Sequence, residues 1–327
     1  MNKSIKSFNK EAAVLALLSK KGVLATYENG NHYTAMLTDG TRIRETTDPN
    51  EDHFTYDFPE NFDICITKYC DGGCPYCHEG ATKKGKHGDI MNMAFVDTLT
   101  PGTEVAIGGG NALDHPDLIP FLQKLKKRGV LPNLTVNQLH LKKNKALLRK
   151  LVDDKLVYGI GVSLMDSSDK EDFEIVDELG NNVVLHVING ILSPKDEKAI
   201  KGRKTLILGY KTLRRGQDWL DKEEPSIRKN MEWLKKNLNS LSKETKVMSF
   251  DCLAIKQLDP RKELGISDKD WDLLFQGDDY SNQASTLYID AVARQVARAS
   301  THPIADRKNF KDESISELFK MTMEGIE

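Results

Sequence analysis

The chain has 327 residues, 39% hydrophobic and 29% charged, with 47 Lys and Arg against 49 Asp and Glu for a formal net charge of −2. That balance argues against a generally basic nucleic-acid binder, and no apolar run approaches the ~20 residues that span a bilayer. The length suits one large domain, or one domain with a small addition, and is enough for an ample core.

Residues 6–20 carry Phe8, Ala12, Val14, Leu15 and Leu18 at helical spacing. Basic residues ahead of a short apolar stretch are the order found in signal peptides. Glu11 and the absence of a small-residue cleavage site favour an amphipathic helix instead, in a protein expected to be cytoplasmic. Asn29-Gly30 and Asp39-Gly40 then mark hairpin turns between β-prone stretches. Residues 1–60 are therefore expected to form a small N-terminal attachment, a helix plus an antiparallel β-meander.

From Phe62 onward strands alternate with helices. Short β-branched runs at 63–67, 104–109, 133–137, 157–164, 182–188 and 205–210 read as buried parallel strands, and the amphipathic stretches between them as crossover helices. Six such units predict an α/β fold, a partial or near-complete (β/α) barrel over residues 61–260. Farther on, 226–241 reads as a helix, 247–255 as a seventh strand, 285–300 as a strand passing into a helix, and 313–326 as a terminal helix. Residues 261–327 are expected to close the barrel.

Five cysteines are too few, and too unevenly spaced, for a disulfide scaffold. After the first barrel strand, in CITKYCDGGCPYCHEG, Cys70, Cys74 and Cys77 form a C-x3-C-x2-C set with Tyr76 before the last cysteine. Three thiolates on a tight loop suit three irons of a [4Fe-4S] cluster and leave one iron without a protein ligand. Zinc held with the help of His78, or a plain thiol cluster, are the competing readings. Gly72 and Gly73 let the backbone wrap closely. Cys65, on the strand, and the isolated Cys252 read as small buried core residues.

The cysteine pattern resembles that of the radical S-adenosylmethionine superfamily, over about residues 62–215. The resemblance implies that S-adenosylmethionine chelates the open iron through its amino and carboxylate groups. One electron then cleaves it to methionine and a 5′-deoxyadenosyl radical, which removes hydrogen from a substrate. The family's Gly-Gly-Glu motif aligns with Gly109, Gly110 and Asn111 when His115-Pro116-Asp117-Leu118 is matched to the family's His-Pro-Asp-Leu. Asn111 stands where Glu is usual, keeping an acceptor oxygen and losing the charge. GIGVSLMDSSDKEDFE resembles the fourth-strand region of the molybdenum-cofactor-biosynthesis branch, which implies a cofactor contact by Ser163 with Asp166 nearby. A serine capping a helix start is the structural alternative. Ile188, Asn189 and the backbone near Tyr76 fall where the family holds the adenine.

Sites in such barrels lie at the C-terminal strand ends, where His140, Ser163, Asn189, Lys211 and Asp251 are expected. Lys211 and Asp251 are the catalytic candidates. An amine inside a barrel requires an anion, and a substrate carboxylate or phosphate, or Asp251 itself, would serve. Tyr288, Asp290 and Arg294 are candidates to close the site. The expected partners are a peptide or small-molecule substrate and an electron donor such as flavodoxin or ferredoxin, with no membrane. With only Cys252 beyond residue 77, no auxiliary cluster is expected. A glycyl-radical-activating enzyme with a protein partner is a competing function. A non-catalytic metal- or Fe–S-binding interaction protein is another, kept open by Asn111.

Overall fold

Asn29-Gly30 and Asp39-Gly40 lie at the turns of a three-stranded antiparallel sheet in the computed structural model, which describes residues 22–48, 50–51, 53–275 and 284–324. Its strands are β1 (Val23–Asn29), β2 (His32–Leu37) and β3 (Arg42–Thr46). Both turn glycines have positive φ, 58° at Gly30 and 86° at Gly40, which these turns require. The helix expected over 6–20 lies outside the described residues.

A buried carboxylate ties this meander to the main sheet. Glu60, fully buried just ahead of β4 (Asn61–Thr67), accepts from Thr34 at 2.7 Å, Arg44 Nε at 2.7 Å and Arg42 at 3.2 Å. Tyr27 and His32 are 3.3 Å away. Arg42 also pairs with Glu104, the first residue of β5 (Glu104–Gly109). The meander is thus held at the N-terminal strand ends, opposite the end at which the cysteine loop leaves β4.

The main sheet continues with β6 (Leu131–Asn137), β7 (Gly159–Ser163), β8 (Val183–Ile188), β9 (Lys204–Leu208), β10 (Val247–Phe250), β11 (Thr286–Asp290), β12 (Gln295–Ala297) and β13 (Lys308–Asn309). Its order is β10-β9-β8-β7-β6-β5-β4-β11-β12-β13, parallel from β10 to β11 and antiparallel at β12 and β13. Among the described residues β10 and β11 do not pair, so the ring stays open between them.

The crossover helices are α1 (Leu118–Lys127), α2 (Leu141–Asp153), α3 (Lys170–Leu179), the short α4 (Glu197–Ile200) and the long α5 (Arg215–Glu244). Leu122, Leu148, Ile175 and Leu234 of these helices pack in one core with Ile64, Ile107, Leu134 and Ile160 of the strands. Alternation along each strand sends the other set, Asn133, Thr135 and Asn137 on β6 for example, toward the interior.

Two expected elements differ. The strand over 247–255 stops at Phe250, because Asp251 accepts from Ala254 N–H at 2.7 Å and caps α6 (Cys252–Leu258), which α7 (Pro260–Glu263) and α8 (Asp268–Leu274) follow. The helical half of 285–300 is instead a hairpin. Asp290 Oδ1 accepts from the N–H groups of Val292 and Ala293, Arg294 takes a left-handed φ of 53°, and β12 returns against β11. The terminal helix forms as α9 (Ile315–Met323), opened by a Ser314/Glu317 capping box. No helix of the described residues is long and apolar enough to cross a membrane.

Candidate active site

The three cysteines sit on the loop between β4 and β5, each half-buried and each lining a cavity of about 590 Å³ at the C-terminal strand ends. Local hydrogen bonds shape the loop. Cys70 N–H donates to Thr82 O at 3.0 Å, Cys77 N–H to Cys74 O at 3.3 Å, and Gly72 N–H to Cys70 Sγ at 3.3 Å. A Cβ added at Gly72 would lie 3.4 Å from Cys70 Sγ and 3.9 Å from Cys74 Sγ, so glycine keeps open the space beside two of the sulfurs.

Thiolate donors of this kind fit an iron–sulfur cluster. Zinc with His78 fits less well, because His78 Nε2 is turned to Glu79 at 3.4 Å. Burial, with added repulsion from neighbouring sulfurs, raises the thiols of Cys70 and Cys74 above their ordinary values, so metal loading must displace protons. Asn137 Nδ2 donates to Cys74 Sγ at 3.4 Å, a contact that would lie in the outer sphere of any metal held by that sulfur.

Gly109 and Gly110 bring β5 against the root of this loop. Gly110 N–H donates to Thr67 O and Asn111 N–H to Tyr69 O, both at 2.7 Å. Gly109 has a φ of 113°, and a Cβ there would stand 2.5 Å from Thr67 O; one at Gly110 would stand 2.1 Å from Tyr69 O. Both glycines line the cavity, and their lack of side chains serves the close packing of backbone on backbone. Asn111 is turned away: it is buried, donates to Asp114 at 2.8 Å and lies outside the cavity lining.

Tyr76, Ser163 and Ile188 line the same cavity. Tyr76 OH reaches Met165 Sδ at 3.2 Å. Ser163 ends β7 and caps no helix; Asp169 caps α3 instead. Asp166 accepts from Ser168 outside the lining. Asn189 is buried against Gln257 at 3.0 Å and does not reach the cavity. His140 hydrogen-bonds Asp71 at 2.8 Å beside the cysteines.

Lys211 and Asp251 both line the cavity without pairing. Lys211 Nζ donates to Ser300 Oγ at 2.8 Å, and Asp251 Oδ1 accepts from Gly209 N–H at 2.9 Å besides capping α6. Tyr288 lines the wall, whereas Arg294 stacks over Phe310 at 5.3 Å and does not.

Two features escaped the sequence reading. A buried ionic network backs the cysteine loop: Glu79 pairs with Lys68, which lies 3.1 Å from Asp290, and accepts from Tyr288 OH at 3.2 Å. Burial alone would raise the Glu79 carboxyl, but His78 and Lys68 overrule it and hold it well below its ordinary range. His186 is the second. It points inward from β8 across Gly161, where a Cβ would lie 2.4 Å from its Nε2. Burial, reinforced by the charge of Lys211, pulls it down to about 4. Period-two alternation counted back from Ile188 would have flagged His186. The ionic network joins residues 209 positions apart and left no local signal.

The chain thus has an open, mostly parallel α/β fold with a cysteine loop after the first strand, β4, of its parallel series. It is similar to Streptococcus suis SuiB bound to precursor peptide SuiA, with a TM-score of 0.54 and 14% identity over 96% of this chain and 77% of that one. It is similar also to Streptococcus suis SuiB bound to S-adenosylmethionine, with a TM-score of 0.51 and 14% identity over 84% of this chain and 68% of that one. No protein-family model matches the sequence, and neither does any curated protein.

Proposed function

We propose that the chain is a radical S-adenosylmethionine enzyme that acts on a peptide. One observation carries the reading: Cys70, Cys74 and Cys77 open together onto a cavity at the C-terminal strand ends that Gly109, Gly110, Ser163 and Ile188 also line. The likeness to SuiB, crystallised with S-adenosylmethionine and with a precursor peptide, supports both cofactor and substrate class. When bound, a reduced [4Fe-4S] cluster supplies the electron that cleaves S-adenosylmethionine to methionine and a hydrogen-abstracting 5′-deoxyadenosyl radical.

The chain's own residues bind and orient. Cys70, Cys74 and Cys77 are the metal ligands, and Asn137 donates to one of their sulfurs. Gly109, Gly110, Ser163, Ile188 and Tyr76 line the space for the cofactor, with the aromatic ring of Tyr76 limiting entry of water from the loop side. Asn111 and Asn189, which face away, donate instead to the side chains of Asp114 and Gln257. A cluster held there would require an external one-electron donor, flavodoxin or ferredoxin in type.

Anaerobic reconstitution with iron and sulfide tests this. The expected product carries about four irons and four sulfides per chain and releases 5′-deoxyadenosine on reduction with S-adenosylmethionine. Cys74→Ala should lose both properties, and Cys252→Ala neither. A fully loaded protein that leaves S-adenosylmethionine intact overturns the proposal.

A further inference from the structure

The cysteine-lined cavity does not end at the barrel axis. A second cavity, also about 590 Å³, occupies the gap between β10 and β11. Asp63, Lys211, Ser249, Asp251, Tyr288 and Ser300 line both, so the two are adjoining inner and outer parts of a chamber with a shared wall. Both parts are walled mainly by apolar surface, which in the outer part comes from Met248, Phe250, Trp271 and Phe275.

Lys211 stands where the two parts meet. Its ammonium has three donors, and the hydrogen bond to Ser300 Oγ occupies one. Among the described residues no carboxylate lies within ion-pair distance of it. Asp251, on the same wall, is committed to the N–H groups of Gly209 and Ala254 through one oxygen. His186, an imidazole on the same lining, is pulled down to about 4 by burial and by the charge of Lys211, and so adds no competing charge. His186 has no hydrogen-bond partner among the described residues and presents its ring to the same space. A half-buried cation with idle donors, beside a neutral acceptor-donor ring and an apolar recess, is a recognition site for a monoanion with an apolar neighbour. One ammonium and one hydroxyl match a carboxylate better than a phosphate, which usually recruits several cations or a helix N-terminus.

We infer that Lys211 anchors a substrate carboxylate, and that the substrate peptide presents an acidic side chain flanked by an apolar one that enters the recess between β10 and β11. The inference rests on reading the chamber as the reaction site of a peptide-modifying enzyme.

The test uses reconstituted holoenzyme with saturating S-adenosylmethionine and two probes, acetyl-Leu-Glu-Leu-amide and acetyl-Leu-Gln-Leu-amide, by calorimetric titration. A charged hydrogen bond of this kind predicts about tenfold tighter binding of the Glu peptide. Lys211→Met should erase that preference, Lys211→Arg should keep most of it, and the affinity for S-adenosylmethionine should stay within about twofold in both. Equal or undetectable binding of the two peptides by the unmodified protein overturns the inference without any variant. So does a preference that survives in Lys211→Met. A parallel loss of S-adenosylmethionine binding in Lys211→Met would assign the amine to the cofactor carboxylate and overturn it too. Failure of the enzyme reading appears elsewhere, as absence of 5′-deoxyadenosine.

Discussion

A missing Cβ at position 110 decides how closely the cysteine loop can approach β5. The methyl of Gly110→Ala would fall 2.1 Å from Tyr69 O and 3.2 Å from Ala81 Cβ. The carbonyl cannot step aside without losing the 2.7 Å bond from Asn111 N–H. Overpacking against fixed backbone costs about 1–3 kcal/mol, and here the strain falls on the segment that carries Cys70. Gly110→Ala should therefore unfold at lower denaturant and retain less iron after reconstitution. Gly73→Ala is the contrast. It has a φ of 63° with nothing within 4 Å of the added carbon, so it carries only the left-handed backbone term of about 1 kcal/mol and should hold iron normally. Equal iron retention in the two variants would show that the close approach does not matter. Asn111 carries a related lesson. The motif alignment implies a cofactor contact, whereas the Asn111 amide donates to the Asp114 carboxylate three residues on, a local side-chain hydrogen bond that spacing alone does not reveal.

At the scale of elements, the strands were the legible part. Short β-branched runs bounded by turn residues fall within two residues of the observed strands from β4 to β9, because burial on both faces imposes that composition. The stretch VARQVARAS was not legible. Its Ala and Arg content favours a helix, yet the Asp290 turn and the left-handed Arg294 fold it back as β12, an outcome set by pairing with β11 rather than by propensity. The meander's attachment was likewise hidden, since Glu60 has no distinguishing neighbours in sequence. Burial alone would raise the Glu60 carboxyl, but the His32 hydrogen bond and the charges of Arg44 and Arg42 hold it well below its ordinary value. A depressed folded-state value means stability that is present above the unfolded carboxyl's pKa and lost as pH falls toward the folded one. Glu60→Ala leaves the buried Arg44 guanidinium unpaired and Arg42 with Glu104 alone, and should cost about 3–5 kcal/mol at pH 7. The gap from the unmodified protein should shrink steadily below about pH 5. A gap that does not change with pH would mean that Glu60 acts by packing rather than by charge.

Across the whole molecule, the site is assembled by contacts between parts of the chain far apart in sequence. β11 joins the sheet beside β4, and the start of α5 clamps the cysteine loop from the opposite side. Arg215, the first residue of α5, donates Nε to Cys74 O at 3.1 Å and Nη2 to Ala81 O at 3.0 Å, bracketing the loop across 141 and 134 residues of chain. Arg214 adds a 2.9 Å bond to His78 O. In the sequence nothing local distinguishes these arginines as a clamp from basic residues on an exposed face. Two charged hydrogen bonds at about 1.5–3 kcal/mol each make Arg215 a strong contributor to loop order. Arg215→Met keeps much of the aliphatic stem and removes the fork, so the β/α framework should persist by circular dichroism while the loop loosens. The measurable result is the rate at which reconstituted protein yields its iron to a chelator, expected to rise by about tenfold or more. Arg215→Lys should not restore retention, since one ammonium cannot bridge two carbonyls in the planar geometry of a guanidinium. Iron release unchanged in Arg215→Met would mean that β5 alone holds the loop.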